Sequence, residues 1–245
     1  MLWLSYDGTN YHGWQIQKNA ETVQGILTKA IRETVGHEVY LSGCGRTDAG
    51  VHAKIYAANF KGENPVPMNK MPMALNAKLP DDISIKKAQA VTDDFDARFS
   101  CVEKEYTYVV HNAEVRDPFL RTRAWFYPYE LDIEAMKKAA KHFIGEKDFA
   151  AVRSQGTPVK STVRTMYECE VETRGDLIMF RMRANGFLYN MARAITGTIM
   201  YVGRGKLSEK DIPDILKNGY REEAGPTAPP NGLYMTGVSY DEVAF

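Results

Sequence analysis

Between Leu2 and Ala90 the segments run in the order strand, helix, strand, strand, helix, strand, and this order leaves only a few topologies open. Residues 2–6 read as a strand and residues 7–10 as a turn. Across residues 22–35, Val23, Ile26, Leu27, Ile31 and Val35 recur at helical spacing, and Gly36 is a stop. Residues 39–41 and 55–60 read as strands. Pro65 and Pro67 then break the chain, and a short helix is expected over residues 74–77, with Pro72 near its first turn. Residues 83–90 read as a further strand. This is the order of a ferredoxin-like half.

A second half is expected from about residue 104. Residues 106–111 alternate aromatic and β-branched side chains, as a strand does. Residues 131–143 form a helical pattern with Ile133, Met136, Ala140 and Phe143 on one side. Residues 163–173 and 177–184 read as a hairpin across Arg174-Gly175-Asp176, residues 190–202 as a helix, and residues 233–240 as a closing strand. The expectation is an α+β fold of two ferredoxin-like (RRM-like) halves, residues 1–103 and 104–245, whose antiparallel sheets meet at a central active-site cleft.

Composition sets outer limits. The 31 basic and 31 acidic residues cancel, which argues against a protein that binds nucleic acid through its overall charge. The distribution answers that objection in part: residues 177–208 hold Arg181, Arg183, Arg193, Arg204 and Lys206 and no acidic residue. The three cysteines form no Cys-x-x-Cys pair, so neither zinc nor a disulfide framework is suggested, and a cytoplasmic setting is expected. The opening residues lack the basic lead and apolar core of a secretory signal, and no stretch reads as a membrane span.

One carboxylate stands in a setting suited to chemistry. Asp48 lies in Gly45-Arg46-Thr47-Asp48-Ala49-Gly50-Val51-His52-Ala53, a turn between two strand-like runs in which Gly43, Gly45 and Gly50 permit sharp geometry. In extended backbone Arg46 would share its face. A turn aspartate bonded to its own backbone is the competing account. The run resembles the active-site motif of the bacterial tRNA pseudouridine synthase A family, Gly-Arg-Thr-Asp-x-Gly-Val-His-Ala, and every fixed position of that pattern is present. The resemblance implies that Asp48 is the catalytic carboxylate.

Other stretches resemble the family in order along the chain. Lys104-Glu105-Tyr106 is similar to its Lys/Arg-x-Tyr motif, which implies that Tyr106 stacks on the target base and assists the late proton removal from C5; on pattern alone Tyr106 and Tyr108 are equally sheet core. Residues 185–193 resemble a third motif, implying an ion pair from Arg193 to Asp48 that favours the ionised carboxylate; a solvent-facing arginine is the alternative. Gly232-Leu233 resembles the last motif, implying that Leu233 packs on the target nucleotide, although a core leucine fits as well. The opening residues 6–15 match the first motif. Lys160 and Arg164, near a loop at residues 153–158, and Arg181 and Arg183 are candidate RNA-backbone contacts. After Ala53, where the family often carries a glutamine, this chain has Lys54-Ile55-Tyr56.

The resemblance implies isomerisation of uridine to pseudouridine at tRNA positions 38–40 by a homodimer, with no cofactor and no metal. Alternatives are a paralogue acting at another RNA site and a noncatalytic RNA-binding protein with exposed sheet aromatics. A carboxylate-dependent glycosidase is disfavoured, because that chemistry needs two neighbouring carboxylates and only Asp48 stands in the motif.

Overall fold

The computed structural model describes all of residues 1–245 except Thr157 and Glu242. In chain order the strands are β1 (Leu2–Tyr6), β2 (Leu41–Gly43), β3 (His52–Phe60), β4 (Ile83–Ala88), β5 (Cys101–His111), β6 (Trp125–Phe126), β7 (Gly145–Asp148), β8 (Val163–Arg174), β9 (Leu177–Ala184) and β10 (Leu233–Tyr240). The helices are α1 (Val23–Val35), α2 (Met71–Asn76), α3 (Ile133–Lys141), α4 (Met191–Gly203) and α5 (Ile212–Asn218). The fold is mixed α and β, and the chain divides into two compact units, residues 1–103 with 234–245, and residues 104–233.

In the first unit the strand order is β4-β1-β3-β10, with β2 also on β3. Strands β1, β3 and β4 pair antiparallel, and β10 joins β3 in parallel through Tyr234↔His52 and Met235↔Ala53. Leu2, Trp3 and Leu4 are all buried, so β1 is covered on both faces. Helix α1 starts where Thr22 Oγ1 accepts from Gly25 N, and it ends at Gly36, whose φ of 85° is the left-handed cap that glycine tolerates. It buries Val23, Leu27, Ala30, Ile31 and Val35.

Several expected boundaries moved. Residues 234–245 pack with the first unit, because β10 bonds to β3; sequence order alone had put them in the second half. The strand expected at 39–41 is Leu41–Gly43, since its register is set by pairing Leu41 with Phe60, and Tyr40 is left exposed. Helix α2 begins at Met71, earlier than residue 74, with Pro72 in its first turn.

In the second unit the order is β5-β9-β8-β7, with β6 on β5. The β8–β9 hairpin turns at Gly175 (φ 56°) and Asp176, as the glycine predicts. Helix α3 is capped by Asp132 Oδ1 accepting from Ala135 N, and it buries Met136, Ala139 and Ala140. Helix α4 is buried on nearly every side, so its arginine is set in an apolar frame. Strand β7 and helix α5 were not anticipated: Gly145–Asp148 is too polar and too short to show a strand pattern, and α5 spans seven residues.

Candidate active site

In the first unit, the loop from Cys44 to Val51 joins β2 to β3, and its backbone is tied on both sides of Asp48. The carbonyl of Thr47 accepts from Trp14 N at 3.1 Å, Gly50 N donates to Tyr11 O at 3.2 Å, and Val51 N closes a turn on Asp48 O at 3.1 Å. Thr47 is 7% exposed, and its hydroxyl shares a 2.8 Å hydrogen bond with the buried Tyr6 hydroxyl. Burial pushes the Tyr6 phenol above its ordinary range, so it stays a neutral hydroxyl. Asp48 itself is half-buried.

Close backbone approach explains two glycines here. A Cβ on Gly13 (φ 82°) would stand 2.3 Å from Thr47 O, and one on Gly8 would stand 1.9 Å from Val51 O. The segment from Gly8 to Gln15 therefore lies directly against the loop, which a side chain would prevent. Beneath the loop, the Trp14 and Tyr56 rings lie 4.2 Å apart, tilted by 30°, and the Tyr56 hydroxyl donates to Gly45 O. Tyr56 belongs to the Lys54-Ile55-Tyr56 run that departs from the family pattern, and it is fully buried. Its ring and hydroxyl support the loop, while Lys54 lies over the Tyr234 ring at 5.4 Å.

Sequence reasoning missed His52 as a loop anchor. His52 is 1% exposed, its Nδ1 lies 2.9 Å from Asp7 Oδ1, and its ring stacks on Tyr234 at 4.7 Å. A buried histidine two residues after a glycine turn, with an Asp-Gly pair far upstream, gives no local signal that the two meet. Arg46 is exposed and makes no ion pair among the described residues. The turn of the loop falls at Ala49 and Gly50 (φ 79°), just after Asp48.

In the second unit, Tyr106 is 7% exposed and meets Phe187 edge-on at 4.8 Å. Tyr108 lies two residues further along β5, fully buried, with its hydroxyl donating to Pro229 O at 2.7 Å. Gly232 packs on the Tyr108 ring; a Cβ there would be 2.7 Å from Cε1. Leu233, next along, is 5% exposed. Arg193 is half-buried on α4, where its Nε donates to Ala228 O at 2.7 Å and its Nη1 to Asn190 Oδ1 at 2.8 Å. Asn190 holds a left-handed conformation (φ 59°) at the N-terminus of α4, and its amide donates to Ser154 Oγ. Ala228 N in turn donates to Arg193 O at 3.1 Å. The guanidinium is therefore held at two of its nitrogens by fixed acceptors.

The proposed backbone contacts divide. Arg181 lies 2.6 Å from Glu168 and 3.0 Å from Glu170, and Arg183 lies 3.6 Å from Glu168. Two of the five basic residues of the acid-free run at 177–208 are thus matched across the hairpin, because β8 carries a glutamate opposite each of these arginines. Lys160 is exposed; Arg164 is half-buried, and its Nη1 donates to Ser161 O and Val163 O. Of the loop at 153–158, Thr157 lies outside the described residues. No three His, Cys, Asp or Glu side chains gather as a metal site among the described residues, and no helix is long and apolar enough to cross a membrane.

Comparison with known proteins bears on both units. Residues 3–100 and 139–241 match the model of the tRNA pseudouridine synthase family. The chain belongs to that family. A tRNA pseudouridine synthase A of Thermoanaerobacter sp. (strain X514) is 50% identical over 240 residues, covering 98% of each chain. The enzyme of that name from Caldicellulosiruptor bescii is 48% identical over the same span. Among solved structures, a chain in an H/ACA RNP bound to a substrate RNA containing 2'-deoxyuridine aligns over 82% of this chain and 43% of its own, with 15% identity and a TM-score of 0.39. Family membership covers both the Asp48 loop and the Arg193 helix, which fall inside the matched stretches.

Proposed function

We propose that this chain isomerises uridine to pseudouridine in tRNA, the activity in its family's name, and that the targets are positions 38–40 of the anticodon arm. The observation that carries the reading is the construction of the Asp48 loop. Buried partners fix the backbone on both sides of the residue, while Asp48 itself stays half-buried. That is the condition for a reacting group: precise placement with access to substrate.

In this reading Asp48 starts the isomerisation. The bond from uracil N1 to ribose C1′ breaks, the base turns, and a bond from C5 to C1′ forms. C5 then loses its proton and N1 carries one, so the product is an isomer of the substrate, with no net oxidation or hydrolysis. A stacked base must leave its stack to react. Tyr106 and Leu233 serve as the walls that receive it, and Tyr106 assists the C5 proton's departure. Arg193 serves as the counter-ion of Asp48; its hydrogen bonds to Ala228 and Asn190 support this by fixing where its positive charge sits. Two ferredoxin-like halves joined at a cleft, one carrying the Asp48 loop and the other Tyr106 and Arg193, complete the proposal. So do a homodimeric state and a cytoplasmic setting.

The test uses tRNA tritiated at uracil C5. The wild type releases tritium, and Asp48→Ala lowers the rate by roughly 10²–10⁴-fold while tRNA binding is kept. Equal release by the two proteins would remove Asp48 from the chemistry. Release of free uracil would replace the isomerase by a glycosidase. Mapping the product on unmodified tRNA checks positions 38–40.

A further inference from the structure

Helices α3 and α5 of the second unit end beside strand β7, and the groove there, about 390 Å³ in volume, is lined by Lys141, His142, Lys147 and Lys217. None of these three lysines pairs with a carboxylate among the described residues. Asp148 also lines the groove, but its Oδ1 accepts from Ala150 N at 2.9 Å and serves the turn after β7. Asp214, one turn before Lys217 on α5, forms no ion pair with it.

Lysines at helix ends often only complement the negative pole of the helix. Here the terminal carbonyls are already occupied. Ala139, Ala140 and Lys141 accept from the amides of His142, Phe143 and Ile144, and Ile215 accepts from Gly219 N. Lys147 is not on a helix at all. It sits on β7 directly opposite Arg164 of β8, so two like charges face the same side of an antiparallel pair. Such a pair is unfavourable by itself. Arg164 has no carboxylate partner among the described residues, and burial lowers its pKa. This side of the second unit therefore carries an excess of positive charge, Arg164, Lys147, Lys141 and Lys217 against the one Asp148 carboxylate. In contrast, Arg181 and Arg183 on the adjoining hairpin are matched by glutamates.

We propose that this groove is a docking surface for the sugar-phosphate backbone of the substrate tRNA, apart from the residues that handle the target uridine. The proposal rests on the tRNA reading above. Charge complementarity selects the partner: phosphates spaced along a strand relieve repulsion that the fold leaves unrelieved, and they need no base-specific groups.

Salt dependence of tRNA binding tests it. In Lys141→Gln/Lys147→Gln/Lys217→Gln, the slope of log Kd against log salt concentration becomes shallower by roughly 2, and affinity at about 0.1 M salt weakens at least about tenfold. The rate of tritium release at saturating tRNA stays at the wild-type value. A control, Lys29→Gln/Lys70→Gln/Lys86→Gln, removes the same charge from exposed positions of the first unit and keeps the wild-type slope. The groove proposal is overturned if the groove variant keeps the wild-type slope and affinity, if the control loses as much, or if only the saturated rate falls. If the wild type neither binds tRNA nor releases tritium, the functional reading falls and takes this proposal with it. An active wild type with an indifferent groove variant isolates the failure to the groove.

Discussion

The hydroxyls of Tyr6 and Thr47 are 2.8 Å apart, buried, and separated by 41 positions in the chain. This bond ties the first strand to the residue immediately before Asp48. Thr47 is held a second time through its carbonyl by Trp14 N. The loop's position is therefore a property of the first unit's core, which makes it open to mutation at a distance from Asp48.

Tyr6→Phe removes one partner and leaves the buried Thr47 hydroxyl unsatisfied. The expected cost is about 1–3 kcal/mol, read as a lower urea midpoint with an unchanged m-value. Tritium release falls with it, since the loop loses a restraint. Thr47→Val in the Tyr6→Phe background should recover part of the lost stability, because both polar groups are then gone. No recovery would mean that the bond is not what orders this loop.

Arg193→Leu severs the bonds to Ala228 O and Asn190 Oδ1 and removes the proposed counter-ion of Asp48. Turnover is expected to fall on the order of 10²–10³-fold, while tRNA Kd changes by less than about threefold, the size of a single lost charge contact. Arg193→Lys retains charge but cannot reproduce the two-point hold, and should recover only part of the rate. Single-turnover kinetics at saturating tRNA decide it: a wild-type rate in Arg193→Leu would withdraw the assignment.

Gly197→Ala sets two effects against each other. Alanine gains up to about 1 kcal/mol in helix propensity. Its Cβ, however, would sit 1.7 Å from Pro226 O, a backbone atom that cannot swing aside. Overpacking of this kind costs about 1–3 kcal/mol or more, so the variant should be net destabilised by about 2 kcal/mol. Because Ala228, two residues on from Pro226, holds Arg193, turnover should drop as well. A melting temperature at or above that of the wild type would show that α4 and the 225–228 segment separate freely.

Alkaline pH should unfold the protein in a window set by buried acids. Burial, reinforced by Glu168 and Glu170, pushes the Cys169 thiol up to about 12 from an ordinary value of 9.0. The unfolded chain ionises this group near the ordinary value and the folded one does not. Its contribution is therefore complete below pH 9 and is lost as pH rises toward 12. Burial also raises Tyr108 and Tyr240, so the decline steepens above pH 10. Urea midpoints between pH 8 and 11 should fall monotonically, and Cys169→Ala should flatten the first part of the curve. An equal slope in the variant would exclude the thiol as its source.

The parts of this molecule legible in the sequence were local ones. The span of α1 follows from the spacing of Val23, Leu27 and Ile31 with Thr22 and Gly36 at its ends, and each of those signals acts within a few residues. The β8–β9 hairpin follows from Gly175 in the same way. The Gly45–Ala53 motif is equally local, and it led to the family. Strand β7 and helix α5 were not legible, because they are short and stand only through their packing.

Site geometry lay beyond local reading. The charge run at 177–208 looked uncompensated in sequence, yet register brings Glu168 and Glu170 of β8 opposite Arg183 and Arg181. Arg46 shares the loop with Asp48, yet its side chain is exposed and makes no ion pair among the described residues.

By itself, the sequence determined the longer helices and strands, which loop carries the carboxylate, and which family the chain joins, because each of these is written in side chains a few positions apart. Only the tertiary structure decided that Thr47 hangs from Tyr6, that His52 meets Asp7, that residues 234–245 return to the first unit, and that Lys147 faces Arg164. Those relations arise from strand register and chain return, in which residues far apart in the chain become neighbours through backbone hydrogen bonds that carry no mark of side-chain identity.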